Sequence, residues 1–242
     1  MKTSNKILLW LLLVVLGYMA CAQIALHIKY VNKDTTDAAT YNALIFDDYA
    51  FNNIKNIKVN GLSSCDIFFA DSVKLFVEKS VISYARFRVS GDTLILYGVY
   101  SGGSLADNRF YMSPQRVKLY MPAHINVYAL NANIYVRGAG DSNHIHSCRF
   151  DIANSGLYTR LFYGADSLDR YFDTLSVTAR NNSFVSLFKN DHFNMLNVNL
   201  DHSLINDFHA KIQQSAIAAD SNSAVVLGGE NITKLNSTAI KK

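Results

Sequence analysis

The sequence is short of most features that mark a reactive or nucleic-acid-binding protein. Only two prolines occur in 242 residues, and between Gly164 and Gly228 there is neither glycine nor proline. An antiparallel sandwich would need several tight turns in that stretch, and the primed turns that suit hairpins usually take glycine. Turning there falls to Asn, Asp and Ser, of which Asn best tolerates left-handed backbone. Charged residues make up 17%, below the roughly 25% of ordinary soluble domains. The net charge is +4 and the Lys and Arg residues are scattered, so no basic run points to nucleic acid. The three cysteines, Cys21, Cys65 and Cys148, form no CxxC and no metal-ligand spacing. For Cys65 and Cys148, one disulfide in an oxidising compartment competes with two buried thiols acting as small hydrophobes, and the second is preferred. There is no Walker loop, nucleophile elbow or HExxH.

One long apolar run is present. Lys2 and Lys6 precede a stretch from Ile7 to Leu26 interrupted only by Gln23. Twenty helical residues at 1.5 Å each span about 30 Å, the thickness of a bilayer core, and a charged segment before an apolar run directs export. Three fates stand open: an uncleaved anchor, which fits the whole run; a signal peptide cleaved after Ala22; and a lipoprotein acylated at Cys21. With the anchor preferred, the chain divides into a cytoplasmic stub (1–6), a transmembrane helix (7–27), a polar juxtamembrane linker (28–50) and an ectodomain (51–242) on the periplasmic or extracellular side.

From Phe51 onward, strand signals are dense. Val73, Leu75 and Val77 alternate with Lys74, Phe76 and Glu78; Leu94 and Leu96 share a face, as do Val117, Leu119 and Met121. Period-two alternation over short runs is the β signature. Asn60-Gly61 and Gly91-Asp92 are candidate hairpin turns. Ser183-Val185-Leu187, Ser203-Ile205-Asp207 and Ser223-Val225-Leu227 then recur every twenty residues. A fixed interval of this length marks stacked coils, in which equivalent residues of successive strands lie about 4.8 Å apart. The expectation is an all-β ectodomain built as a parallel β-helix, or β-solenoid, with a β-sandwich as the alternative. Asp207 stands where its counterparts are leucines, and an inward carboxylate requires hydrogen bonds. Residues 160–172 look like an inserted loop.

Val59-Asn60-Gly61, Asp66-Ile67, Gly91-Asp92-Thr93-Leu94 and Pro122-Ala123-His124-Ile125 carry a resemblance. Residues 51–230 resemble the head GIN domain family of bacterial auto-transporter adhesins. The resemblance implies a right-handed parallel β-helix outside the cytoplasm, with no established enzymatic activity. This chain departs from the family pattern in lacking glycine at the coil corners between 165 and 227.

Chemistry-bearing clusters are thin. His144-x-His146 puts two imidazoles on one side of a strand, with Asp141 the nearest carboxylate in sequence; exposed loop residues are the preferred reading, and no metal site is assigned. Asp191-His192 and Asp201-His202 read as solvated corners. Asp201 and Asp220, nearly one coil apart near Lys211, are the best carboxylate–lysine set for a polysaccharide lyase. Tyr97, Tyr100, Tyr111, Tyr120, Tyr128 and Tyr135 are expected to face outward, where tyrosine suits binding of sugar or protein. The expected function is a membrane-anchored, adhesin-like binding or envelope-structural module that is not an enzyme and takes no cofactor. Its expected partners are the membrane, through residues 7–27, and envelope proteins or surface polysaccharide, but not nucleic acid. The alternative is a carbohydrate-active enzyme on a β-helix scaffold.

Overall fold

The computed structural model describes residues 44–98, 116–139, 144–159, 169–228, 231 and 235–237, together with helical positions at 10–12, 14–15, 17–19, 21 and 23. The chain forms two compact units, Met1–Ile45 and Phe46–Lys242. Among the described residues no helix is long and apolar enough to cross a membrane. Much of the expected span at 7–27 lies outside the described residues.

The second unit is nearly all strand, in two large sheets. Its first part comprises β1 (Phe46–Phe51), β2 (Asn56–Asn60), β3 (Cys65–Phe69), β4 (Val73–Glu78), β5 (Ala85–Ser90) and β6 (Thr93–Gly98). It continues through β7 (Val117–Met121), β8 (Asn126–Leu130), β9 (Asn133–Ala139), β10 (His144–Ile145), β11 (Cys148–Ala153) and β12 (Gly156–Tyr158). The C-terminal part holds β13 (Arg170–Arg180), β14 (Phe184–Phe188), β15 (Asp191–Asp201), β16 (Leu204–Phe208), β17 (Lys211–Ala219), β18 (Ala224–Val226) and β19 (Leu235–Ser237). One sheet runs β1-β4-β7-β3-β9-β12-β14-β16-β18. The other runs β19-β17-β15-β13-β11-β8-β2-β6-β5, with β10 paired to β13 beside that path. Among the described residues, antiparallel pairing is confined to β1–β4, β4–β7 and β5–β6. From β11 onward successive strands alternate between the sheets and all pairs are parallel.

The two inner faces follow from the alternation. In the nine-stranded sheet Cys65, Ile134, Leu157, Val185, Ile205 and Val225 lie side by side across six strands. In the ten-stranded sheet Leu94, Ile57, Val127, Phe150, Val177, Val198 and Ile217 do the same. All of them except Val225, on the last strand of its sheet, are buried in one continuous core. The twenty-residue interval is therefore real at Val185, Ile205 and Val225, which stack directly.

The serines explain why they recur. The Oγ atoms of Ser155, Ser183, Ser203 and Ser223 each accept the N–H of a residue one strand along, from Ala132, Ser155, Ser183 and Ser203, at 3.0–3.2 Å. Ser155, Ser183 and Ser203 donate in turn to the carbonyls of Ala153, Arg180 and Asp201. Each hydroxyl thus satisfies a buried donor at a corner where the sheet ladder is interrupted. Asn131, Asn154, Asn181, Asn182 and His202 turn these corners with φ between 46° and 61°, so asparagine does the work of glycine, with histidine helping.

Several expectations change. Gly91 (φ +61°) closes the β5–β6 hairpin, but Asn60-Gly61 does not close one: β2 and β3 belong to different sheets, and Gly61 turns a corner between them. The fold begins at Phe46, five residues before the expected boundary, because β1 pairs with β4; Asp47 and Asp48 hide its alternation. The expected insertion at 160–172 ends early, since Arg170 starts β13 and Arg170 and Phe172 are buried; 160–168 lie outside the described residues. Cys65 and Cys148 are free, buried thiols in different sheets. Burial raises both, Cys148 to about 12.

Candidate functional site

The most chemically distinctive surface cluster sits where β10 meets β13. Ile145 is buried, so its neighbours His144 and His146 both face outward. In β13 the inward residues Phe172 and Leu175 are separated by two half-buried ones, Asp173 and Thr174. β15 and β17 carry the same irregularity at Asn194-Met195 and Gln213-Gln214. The inward alternation is thus interrupted at the same level in all three strands, and there Asp173 lies half-exposed beside the histidines. His144 Nε2 lies 2.7 Å from Asp173 Oδ1, and His146 Nδ1 lies 3.1 Å from Oδ2. One ligand atom from each of the three residues falls within 4.8 Å of the other two. The two histidine hydrogen bonds hold the Asp173 carboxyl below its usual range. Asn194 Nδ2 donates to the same carboxylate at 3.4 Å. The sequence reading looked to Asp141, which lies outside the described residues; Asp173, well downstream, was invisible without the β10–β13 register.

A second cluster caps the β15–β16 corner. His202 Nδ1 lies 2.7 Å from Asp201 Oδ1 and 3.1 Å from Asp220 Oδ2. Asp220 also accepts the His202 N–H and the Ser223 hydroxyl, and Asn222 Nδ2 meets His202 Nε2 at 2.9 Å. The bond to Asp201, then the charge of Asp220, raises the His202 pKa; the Ser223 bond leads in lowering that of Asp220. Asp201 and Asp220 do come together, as their near one-coil spacing implied, but around His202. Lys211 stands at the opposite end of β17, roughly 30 Å away at about 3.3 Å per residue, and its Nζ lies 3.5 Å from His192 Nε2. The carboxylate–lysine set considered for a lyase does not assemble.

Asp191 is no solvated corner. It is fully buried, ion-paired with Arg170, and accepts the Thr159 hydroxyl and the Phe188 N–H. Arg170 also donates to the carbonyls of Val136 and Thr159. Burial pushes the Asp191 carboxyl up, opposed by the Arg170 charge. Asp207 meets the requirement set by its inward position, accepting the N–H groups of Ala210 and Gly228 and the Asn231 amide. Asp66, from the family-like motif, is buried against Arg137 at 2.7 Å, and burial again raises its pKa against the arginine's pull.

The four described tyrosines of the six do not form one patch. Tyr97 and Tyr128 belong to the ten-stranded sheet and Tyr120 and Tyr135 to the nine-stranded one, while Tyr100 and Tyr111 lie outside the described residues. Tyr128 is exposed; Tyr135 is buried, its ring stacked on Tyr158 at 4.9 Å with the Arg137 guanidinium 5.0 Å away. Among the described residues the outer face of the nine-stranded sheet carries three aromatic groups, made of rings that sequence spacing did not connect. Tyr120 stacks on Phe68 and meets Phe76 edge-on, Tyr158 meets Phe184, and Phe188 stacks on Phe208.

No family model and no curated protein matches the chain. Solved structures similar to it include a "putative adhesin" from Parabacteroides distasonis ATCC 8503, at 12% identity, covering 76% of this chain and 73% of that one, with a TM-score of 0.46. A "putative lipid binding protein" from the same organism is 10% identical over 74% of this chain and 80% of its own, with a TM-score of 0.43. A "putative adhesin" from Bacteroides fragilis NCTC 9343 is 8% identical over 75% of this chain and 91% of its own, with a TM-score of 0.36.

Proposed function

We propose that the chain is a membrane-anchored, extracytoplasmic, adhesin-like binding or envelope-structural module without catalytic activity. In this reading the alternating parallel strands wind as a right-handed β-solenoid. The observation that carries it is the set of aromatic groups on the outer face of the nine-stranded sheet: Phe68, Phe76 and Tyr120; Tyr158 and Phe184; and Phe188 and Phe208. A broad aromatic face binds by stacking and apolar contact without a cleft, which suits an extended polysaccharide or a protein surface. The charged, apolar N-terminus supports export and attachment.

The test uses the purified full-length chain and isolated envelope polysaccharide, followed by co-sedimentation and calorimetry. Saturable binding that weakens at least about tenfold in Phe188→Ala/Phe208→Ala supports the binding module, in line with the energetic weight of aromatic contacts. Binding indifferent to those rings, or none, leaves only the structural role. Release of unsaturated, ultraviolet-absorbing product would replace the proposal with the enzyme alternative. Attachment is read in the native cell: full-length protein in the carbonate-resistant pellet supports the anchor, and a soluble species beginning at Gln23 refutes it.

A further inference from the structure

We propose that His144, His146 and Asp173 form a divalent transition-metal site of the zinc type, fastening the short strand β10 to β13. Two imidazole nitrogens and a carboxylate oxygen are a donor set that zinc accepts, with a fourth position left to water. His144 lies in β10, His146 follows directly after it, and Asp173 lies in β13, whose register with β10 brings the three together. Ile145, buried against the core, fixes both histidines on the outer side, and Asp173, half-exposed where the inward alternation of β13 is interrupted, lies against them.

The distances suit an ion. Ligands about 2.05 Å from a tetrahedral zinc lie about 3.3 Å from one another, and the present contacts are 2.7 and 3.1 Å within a group no wider than 4.8 Å. Side-chain shifts below 1 Å would admit the metal. Asn194, which donates to the same Asp173 oxygen that His144 meets, acts as the outer partner that orients such a ligand. The side chains are 55%, 82% and 36% exposed, so the ion enters from solvent without unfolding. The cluster at Asp201, His202 and Asp220 is the weaker competitor. It offers one imidazole, and Asp220 is already committed to Ser223 and the His202 backbone.

β10 is two residues long and lies off the main strand path of its sheet. A metal linking His144 and His146 to Asp173 would add a second tie between this short segment and β13. The experiment takes the full-length chain, stripped by chelator, and titrates it calorimetrically with ZnCl₂, with Co²⁺ absorption reporting coordination. One saturable equivalent is expected, with a four-coordinate Co²⁺ band and slower hydrogen exchange at Ile145. His146→Ala and Asp173→Asn should each weaken binding more than about tenfold, while His202→Asn leaves it unchanged. Thermal midpoints of the metal-free variants check that folding is intact. Absence of saturable zinc binding by the unsubstituted chain overturns the proposal. So does binding that survives His144→Ala/His146→Ala, or that disappears in His202→Asn.

Discussion

Arg170 and Asp191 point inward from the first positions of neighbouring strands, where a charge survives only if paired. Removing one partner strands the other in the core, which costs about 3–5 kcal/mol. Arg170→Met should therefore lower stability by that amount in urea titrations at neutral pH. Arg170→Met/Asp191→Asn should recover more than half of the loss, because Asn still accepts the Phe188 N–H but carries no charge. His202 makes a second prediction. Its folded-state pKa is raised, so its stabilisation is complete below about pH 6.5 and fades as pH rises through the raised value. Asp220 is depressed, so its contribution is present above about pH 4 and is lost as pH falls through the lower value. The corner is strongest between those limits. His202→Asn, which keeps a residue tolerant of φ +50°, should flatten the fall in thermal midpoint between pH 6 and 8. An unchanged slope would show that the corner network does not contribute. Neither residue announced itself beforehand. By sequence Arg170 falls in an expected loop and Asp191 at an expected solvated corner, because burial of a charge depends on partners such as Thr159 and Val136, which are distant in sequence or share no motif.

Strand by strand, the parallel stack depends on its corners as much as on its apolar faces. Ser183 is buried and holds the Ser155 N–H. Ser183→Ala leaves that donor unpaired at a cost of about 1–2 kcal/mol. Ser223→Ala should cost less, since its half-exposed position lets water replace the hydroxyl. Urea midpoints for the two variants test the difference. At the adjoining corner Asn181→Val should lose about 1–2 kcal/mol from the left-handed conformation, whereas Asn181→Gly should be close to neutral. The Ser and Asn spacing was legible because strand spacing forces equivalent residues into contact. β1 was not, because two adjacent aspartates broke its alternation, and its pairing with β4 is set by sheet topology.

At the scale of the whole domain, one apolar cluster is shared by both sheets, with Cys65 on β3 and Cys148 on β11. Both thiols are buried and their pKa values raised, so little reactive thiolate exists while the core is closed. In a Cys21→Ser background, labelling of the two cysteines should begin at the same urea concentration, coincident with loss of the β signal in circular dichroism. Labelling of one sheet before the other would show that the core opens in parts.

By itself, the sequence determined the all-β character, the inward faces of several strands and the corner role of asparagine. Each of these depends on local period, local backbone preference or bulk composition. Tertiary structure alone decided which charges are buried and paired, that Asn60-Gly61 turns between sheets, and that Tyr135 is covered. It also decided that Asp173 joins His144 and His146. The pairings among them are set by register between residues 21 to 71 positions apart, and no local pattern encodes which residue a strand will lie beside.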